Sequence, residues 1–403
     1  MNSSTKYLSR AIDYLYAGAT LVNTMHIVHQ LASNTLETKE VSMRRKGKFA
    51  FVATAVLVVA SLSTYFMGCG GGGGGGYGGG GGSTPASPTS LTFTTGADPN
   101  AIAIDSSGYA WVTNNGSNTV SVLSLVTGAV LHTYSTGTNP FGIAIDSAGN
   151  VWISNTGSNN VTVLSSSTGT LLNTYPTGTG PHGLRIDASG NVWVANHGGG
   201  SDPIGTTVTK LTSTGFELGT FPTGTGPSNL AIDAAGNVWV TNMGTTTTLA
   251  DTVTKMSSTG AALGTFTVGK GPSSIHVAPS GNLWVANGGD DATPGSTVTE
   301  LNASGTVLNT FTVGTSPRGA GINTSGEVWV GNFGTTNAPG NTVSVLSSSG
   351  TLLNTYSVGN NPAGIAIDST GNVWIANRAS GTVTVWRGAS APGFHAYTGP
   401  IWP

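Results

Sequence analysis

Pro140-Phe141-Gly142-Ile143-Ala144-Ile145-Asp146-Ser147-Ala148-Gly149-Asn150-Val151-Trp152-Ile153-Ser154-Asn155 is the stretch whose reading decides the fold. Gly142 to Asp146 alternates as a strand, and Asp146-Ser147-Ala148-Gly149 is a turn in which aspartate can cap the backbone and glycine can take positive φ. Val151 to Asn155 reads as a second strand, Val161 to Leu164 as a third and Leu171 to Tyr175 as a fourth. The tryptophan returns at Trp111, Trp152, Trp193, Trp239, Trp284, Trp329 and Trp374, in steps of 41 to 46 residues. A proline twelve positions upstream of each keeps the same rhythm, from Pro99 to Pro362. A self-similar unit of this length holding four short strands is a propeller blade, so the expectation is an all-β, seven-bladed β-propeller over residues 91–388.

The last repeat lacks a fourth strand. It supplies Gly364 to Asp368, Val373 to Asn377 and Thr382 to Trp386, with no counterpart of the Leu-Asn-Thr-Tyr segment after them. An unassigned strand, Leu91-Thr92-Phe93-Thr94-Thr95-Gly96, stands ahead of Pro99. Pairing residues 91–96 with Thr382 to Trp386 would complete the seventh blade and cover an exposed edge.

Charged residues are 7% of the chain, against about 25% in an average soluble protein; Thr, Ser, Asn and Gly replace them, as turns and half-exposed strands require. From Cys69 onward there are seven Lys plus Arg and thirteen Asp plus Glu, which argues against a nucleic-acid-binding surface. Residues 43–68 carry secretory signal grammar: Arg44, Arg45, Lys46 and Lys48, an apolar run from Phe49 to Val59, then small residues. Phe66-Met67-Gly68-Cys69 resembles a bacterial lipobox, which implies a lipid anchor at Cys69. Cys69 is the sole cysteine, so no intramolecular disulfide forms. Residues 69–90 read as a Gly/Ser/Pro-rich tether of roughly 25 Å root-mean-square span, with no phosphate-loop lysine. Residues 1–42 are an upstream extension or a mis-assigned start before Met43, and 389–403 are a tail outside the repeat. The expected protein is a monomer, extracytoplasmic and membrane-anchored, at a bacterial outer membrane or cell surface.

Trp-(Val/Ile)-x-Asn followed by Thr-Val-(Ser/Thr), as in Trp111 to Asn114 with Gly116 to Val120, resembles the YVTN and NHL propeller repeats. That resemblance implies the fold and leaves enzyme, binding module and scaffold open. Pro181-His182-Gly183-Leu184 is similar to the Pro-His-Gly-Ile segments of streptogramin B (virginiamycin B) lyases, seven-bladed propellers that open a cyclic depsipeptide by metal-assisted elimination. The resemblance implies His182 as base with His197 as helper, and magnesium as cofactor. The matching positions of other blades hold no histidine, Arg318 occupies one of them, and the family's metal-binding glutamates have no counterpart in Glu217, Glu300 or Glu327.

Connections before the first strand and after the second emerge on one face, because adjacent strands run antiparallel. Variable residues gather there: Phe141, His182 and Arg318 after the repeat prolines, His197, Phe333 and Arg378 after the repeat asparagines. Arg185 and His276 replace small residues on innermost strands. With Lys270, the residues Arg185, His276, Arg318 and Arg378 form the expected ligand-binding set around the central mouth, and the alternative is that they are solvated or locally bonded substitutions. The repeated asparagines can bind loop backbone or sugar hydroxyls, and the tryptophans can pack between blades or stack sugars. No metal site is expected; Asp290 and Asp291 lack carboxylate neighbours for calcium. These residues favour a surface-tethered binding or scaffold module for a protein, peptide or glycan, which needs no cofactor. A streptogramin-type lyase is the alternative, followed by a lactonase-type hydrolase, which suffers the same shortage of carboxylates.

Overall fold

The computed structural model describes residues 89–199, 202–245 and 248–387. The upstream extension, the signal segment 43–68, Cys69, all but the end of the tether, and the tail 389–403 lie outside the described residues. The described chain folds into seven four-stranded antiparallel sheets without a helix. Each sheet is one sequence repeat, beginning at a repeat proline, and its first strand lies innermost. Blades one to seven therefore start with Pro99–Ile104, Pro140–Ile145, Pro181–Ile186, Pro227–Ile232, Pro272–Val277, Pro317–Ile322 and Pro362–Ile367.

Blade seven takes its outer strand from the other end of the chain. Thr89–Thr94 pairs antiparallel with Thr382–Arg387, with Leu91 opposite Val385 and Phe93 opposite Val383. The strand runs two residues earlier than the expected span and ends at Thr94. Thr95 still donates its amide to Gly381 O at 3.0 Å. Gly96 instead gives its amide to the Asn114 side chain at 3.2 Å, which carries the chain away into blade one.

The core lies between blades. All seven repeat tryptophans are at most 2% exposed, which excludes them from sugar stacking. Trp111, for example, packs against Val120 and Val122 of its own blade and Ile143, Val151 and Ile153 of the next. Burying such a ring removes on the order of 150–250 Å² from water, roughly 4–6 kcal/mol of gross hydrophobic gain. Its indole N–H needs an acceptor, and the aspartate of the first turn supplies it: Trp111 Nε1 donates to Asp105 Oδ2 at 2.9 Å. Asp146, Asp187, Asp233 and Asp368 repeat this bond. The other oxygen of Asp187 accepts from the backbone amides of Ser189 and Asn191, at 3.0 and 2.9 Å.

The repeat asparagines are equally structural. Asn155 Oδ1 accepts from Gly137 N at 3.1 Å, while its Nδ2 donates to Asn160 Oδ1 and Thr162 Oγ1 at 2.8 and 2.9 Å. Buried and committed in this way, it is not available to a ligand. The residue before each repeat proline (Asp98, Asn139, Gly180, Gly226, Gly271, Ser316, Asn361) has φ between 49° and 62°, a left-handed turn into the innermost strand. Most are Gly, Asn or Asp, which tolerate that conformation.

Candidate functional site: the mouth of the central channel

A cavity of about 1200 Å³ occupies one opening of the ring. Every residue that follows a repeat proline lines it, as do all those following a repeat asparagine except Gly288. The two sets expected on one face therefore share one wall. A register shift near the start of each innermost strand helps put them there. In blade three the ladder jumps from Pro181↔Asn196 to Leu184↔Val194, leaving His182 and Gly183 out of the regular pairing.

Some lining residues hold the ring together. Asn100 Nδ2 donates to Phe141 O at 3.2 Å, Thr156 Oγ1 to Pro181 O at 2.8 Å and Ser273 Oγ to Pro317 O at 2.9 Å, each bond crossing to the next blade. These side chains are occupied by the fold. The others include the aromatic and basic side chains of the two sets, Phe141, His182, His197, Arg318, Phe333 and Arg378.

His182 and His197 meet face to face, with ring centroids 4.0 Å apart and planes 12° from parallel. Phe141 covers the other face of His182, 4.1 Å away at 8°. A Cβ on Gly142 would stand 2.6 Å from His182 O, so glycine is what lets the inner strands of blades two and three approach closely enough for this stack. Ser154 Oγ also donates to His182 O. His197 Nδ1 lies 3.0 Å from Gly198 O; a carbonyl only accepts, so Nδ1 carries the proton and Nε2 keeps its lone pair. His182 Nδ1 is buried without a hydrogen-bond partner. Burial, then the neighbouring His197, Arg378 and Arg318, push His182 well below the usual histidine range. Burial also lowers His197, opposed by the Gly198 carbonyl. At pH 7 both imidazoles are neutral.

Across the mouth the guanidinium of Arg318 sits 3.9 Å over the Phe333 ring. Burial and Arg378 lower its pKa to about 10, with Asp291 acting in the opposite sense, so it remains a cation. Arg378 Nη2 reaches Asn115 Oδ1 at 3.4 Å. Deeper on the wall, Arg185 Nη1 donates to Leu184 O at 2.8 Å. Burial brings Arg185 to about 10 and, together with the Arg185 charge, His276 to about 3.

Of the expected ligand set, Arg185, His276, Arg318 and Arg378 line the cavity with His182 and His197, whereas Lys270 does not. Lys270 is exposed, in the turn before Gly271 and Pro272, where the chain has not yet entered the inner strand. Phe141 and Phe333 were legible as variable positions, but their service as platforms for His182 and Arg318 was not. Asp290 accepts from the amides of Ala292 and Thr293 at 3.0 and 2.6 Å, and Asp291 from Thr336 N at 3.2 Å, so both carboxylates brace loops. Glu217, Glu300 and Glu327 do not line the cavity. Among the described residues no three His, Cys, Asp or Glu side chains come together to hold a metal.

No family model matches the chain. No curated protein matches it either. Solved structures do. Virginiamycin B lyase from Staphylococcus aureus superposes with a TM-score of 0.63 at 18% identity, over 74% of this chain and 99% of that one. A streptogramin B lyase structure gives 0.61 at 18% identity, over 74% and 97%. Hydrazine synthase from Kuenenia stuttgartiensis gives 0.65 at 15% identity, over 73% and 96%. The chain shares the propeller fold of the streptogramin B lyases. Its likeness to a protein named for quite different chemistry shows that the fold alone does not select a function.

Proposed function

We propose that this chain is a surface-tethered binding propeller that takes a protein, peptide or glycan ligand at the channel mouth. One observation carries the reading: the irregular side chains of the ring converge on one wall, as an aromatic–imidazole stack facing two arginines, inside a cavity large enough for part of a chain molecule. Arg318 on Phe333 and the Phe141–His182–His197 stack offer flat platforms with polar edges, suited to planar amide or sugar groups. The signal segment, the lipobox and the glycine tether support an extracytoplasmic position, with the membrane reached through a lipid on Cys69. The mildly acidic mature chain supports a partner other than nucleic acid, and the N-terminal strand, by pairing with Thr382–Arg387 within the same chain, supports a monomer.

The stacked histidines favour a second reading, a lyase with His182 as the base. A neutral imidazole can take a proton. The magnesium of that chemistry does not fit the residues present, because Arg318 and Arg378 bear on the histidines and the carboxylates lining the cavity, Asp290 and Asp291, brace loops. A lactonase meets the same obstacle. Peptide and glycan arrays probed with the purified protein should give hits that Arg318→Ala and His182→Ala each weaken at least about tenfold. Hits indifferent to both substitutions would overturn the binding site. Magnesium-dependent opening of a cyclic depsipeptide, lost in His182→Ala, would replace it with the lyase.

A further inference from the structure

Among the described residues, the Arg185 charge on the channel wall has no ion-pair partner. On each innermost strand one residue pairs across the ladder with the repeat tryptophan, and in five blades it is small: Ala103, Ala144, Ala231, Gly321 and Ala366. Blade three places Arg185 there, and blade five His276. Blade four, between them, carries Ala231. Two large polar side chains thus line the cavity from blades three and five at equivalent ladder positions, near enough for the Arg185 charge to act on His276.

The Arg185 side chain spends one donor on Leu184 O and makes no other hydrogen bond among the described residues. The His276 side chain makes none among them. The salt bridge found among the described residues joins Lys210 to Asp187 at 3.7 Å and does not involve Arg185. Asn229, which lines the same cavity from blade four, spends its side-chain oxygen on the Leu230 amide at 2.8 Å, which leaves its NH₂ for a visitor. A guanidinium taken out of bulk water without a counter-charge is costly unless something else supplies the charge. Arg185 remains protonated at neutral pH and His276 neutral, so the pair offers a cation beside an imidazole N–H rather than two repelling cations.

We infer that Arg185, His276 and Asn229 form a subsite for one oxyanion group, a carboxylate or a phosphate, which anchors the ligand entering past His182, Arg318 and Arg378. The inference rests on the binding reading above and names the chemistry of its deepest contact. The guanidinium fork matches two oxygens of either group, and the flanking N–H donors match a third.

Isothermal titration of the purified protein with inorganic phosphate and with succinate, at constant ionic strength, tests it. Millimolar or tighter binding of one of them is expected; the tighter anion identifies the group as phosphoryl or carboxylate. Arg185→Met should weaken that binding at least about tenfold, and Arg318→Met, at the rim, less than about threefold. In the unaltered protein the His276 imidazole resonance, assigned with His276→Gln, should shift on titration; this readout stands even if Arg185→Met folds poorly. No binding of either anion by about 20 mM, an unmoved His276 signal, or equal losses in the two arginine variants would overturn the subsite. Phosphate bound at Arg185 without any array hit would keep the anion site and sink the larger-ligand reading. Array hits without anion binding would do the reverse.

Discussion

His182 shows how much one residue depends on its neighbours here. Its imidazole lies between Phe141 and His197, with Arg378 and Arg318 near enough to oppose its charge. The native protein therefore resists protonating His182, His197 and His276, while the unfolded chain takes up protons below about pH 6.5. Stability contributed by the neutral imidazoles is fully present above that pH and is lost as pH falls toward the lowered native values, about 3 for His276. Replacing His182 with Phe keeps a flat ring against Phe141 and removes one titrating group. Proton uptake on unfolding at pH 5 should then drop by about one, read as a shallower dependence of Tm on pH. An unchanged slope would mean that His182 titrates normally in the fold. The histidines were visible as departures from the repeat, but their stacking was not, because it depends on how closely two blades approach.

Among the elements, the first turn of each repeat does more than its sequence announced. Asp187 was legible as a backbone cap; the structure adds the bond to Trp193 Nε1 at 3.1 Å and the ion pair with Lys210. Burial works against its charge, but hydrogen bonds from Asn191 and Trp193 and the Lys210 charge hold the carboxyl below the usual aspartate range. Its contribution is present at neutral pH and fades as pH falls through that lowered value. Asp187→Ala leaves a buried indole N–H without its acceptor and should cost about 2–3 kcal/mol, measured as a lower urea midpoint with an unchanged m-value. Blade five already carries Ala278 at this position, and there Asn282 turns its amide to Glu300 Oε1 at 2.8 Å instead. A neutral result for Asp187→Ala would show that the indole bond adds little. Strand edges were legible to within about two residues. The register shift after each repeat proline was not, since alternation in sequence does not reveal where a ladder skips.

At the scale of the whole molecule, the ring is closed by residues almost three hundred positions apart: Thr89–Thr94 on Thr382–Arg387. Deleting residues 89–94 strips the outer edge of blade seven and uncovers part of the cluster that holds Phe93, Trp374, Val383 and Val385. The truncated chain should lose at least about 10 °C in Tm and sediment as larger species, because an unpaired strand edge recruits other chains. A monomer with unaltered Tm would mean that the ring closes without the clasp. Closure could be read in advance because a missing strand at one end and a spare strand at the other are arithmetic on a period. The sequence by itself determined the blade number and the clasp, since both follow from a period repeated seven times, whereas the burial of the tryptophans between blades came from the structure. The sequence also marked the positions that break the repeat. Only the tertiary structure decided which of them share a wall: it placed Arg185 and His276 on either side of Ala231, stacked His182 on His197, and left Lys270 outside. Those relations arise from the curvature of the ring and the spacing between blades, which no single repeat encodes.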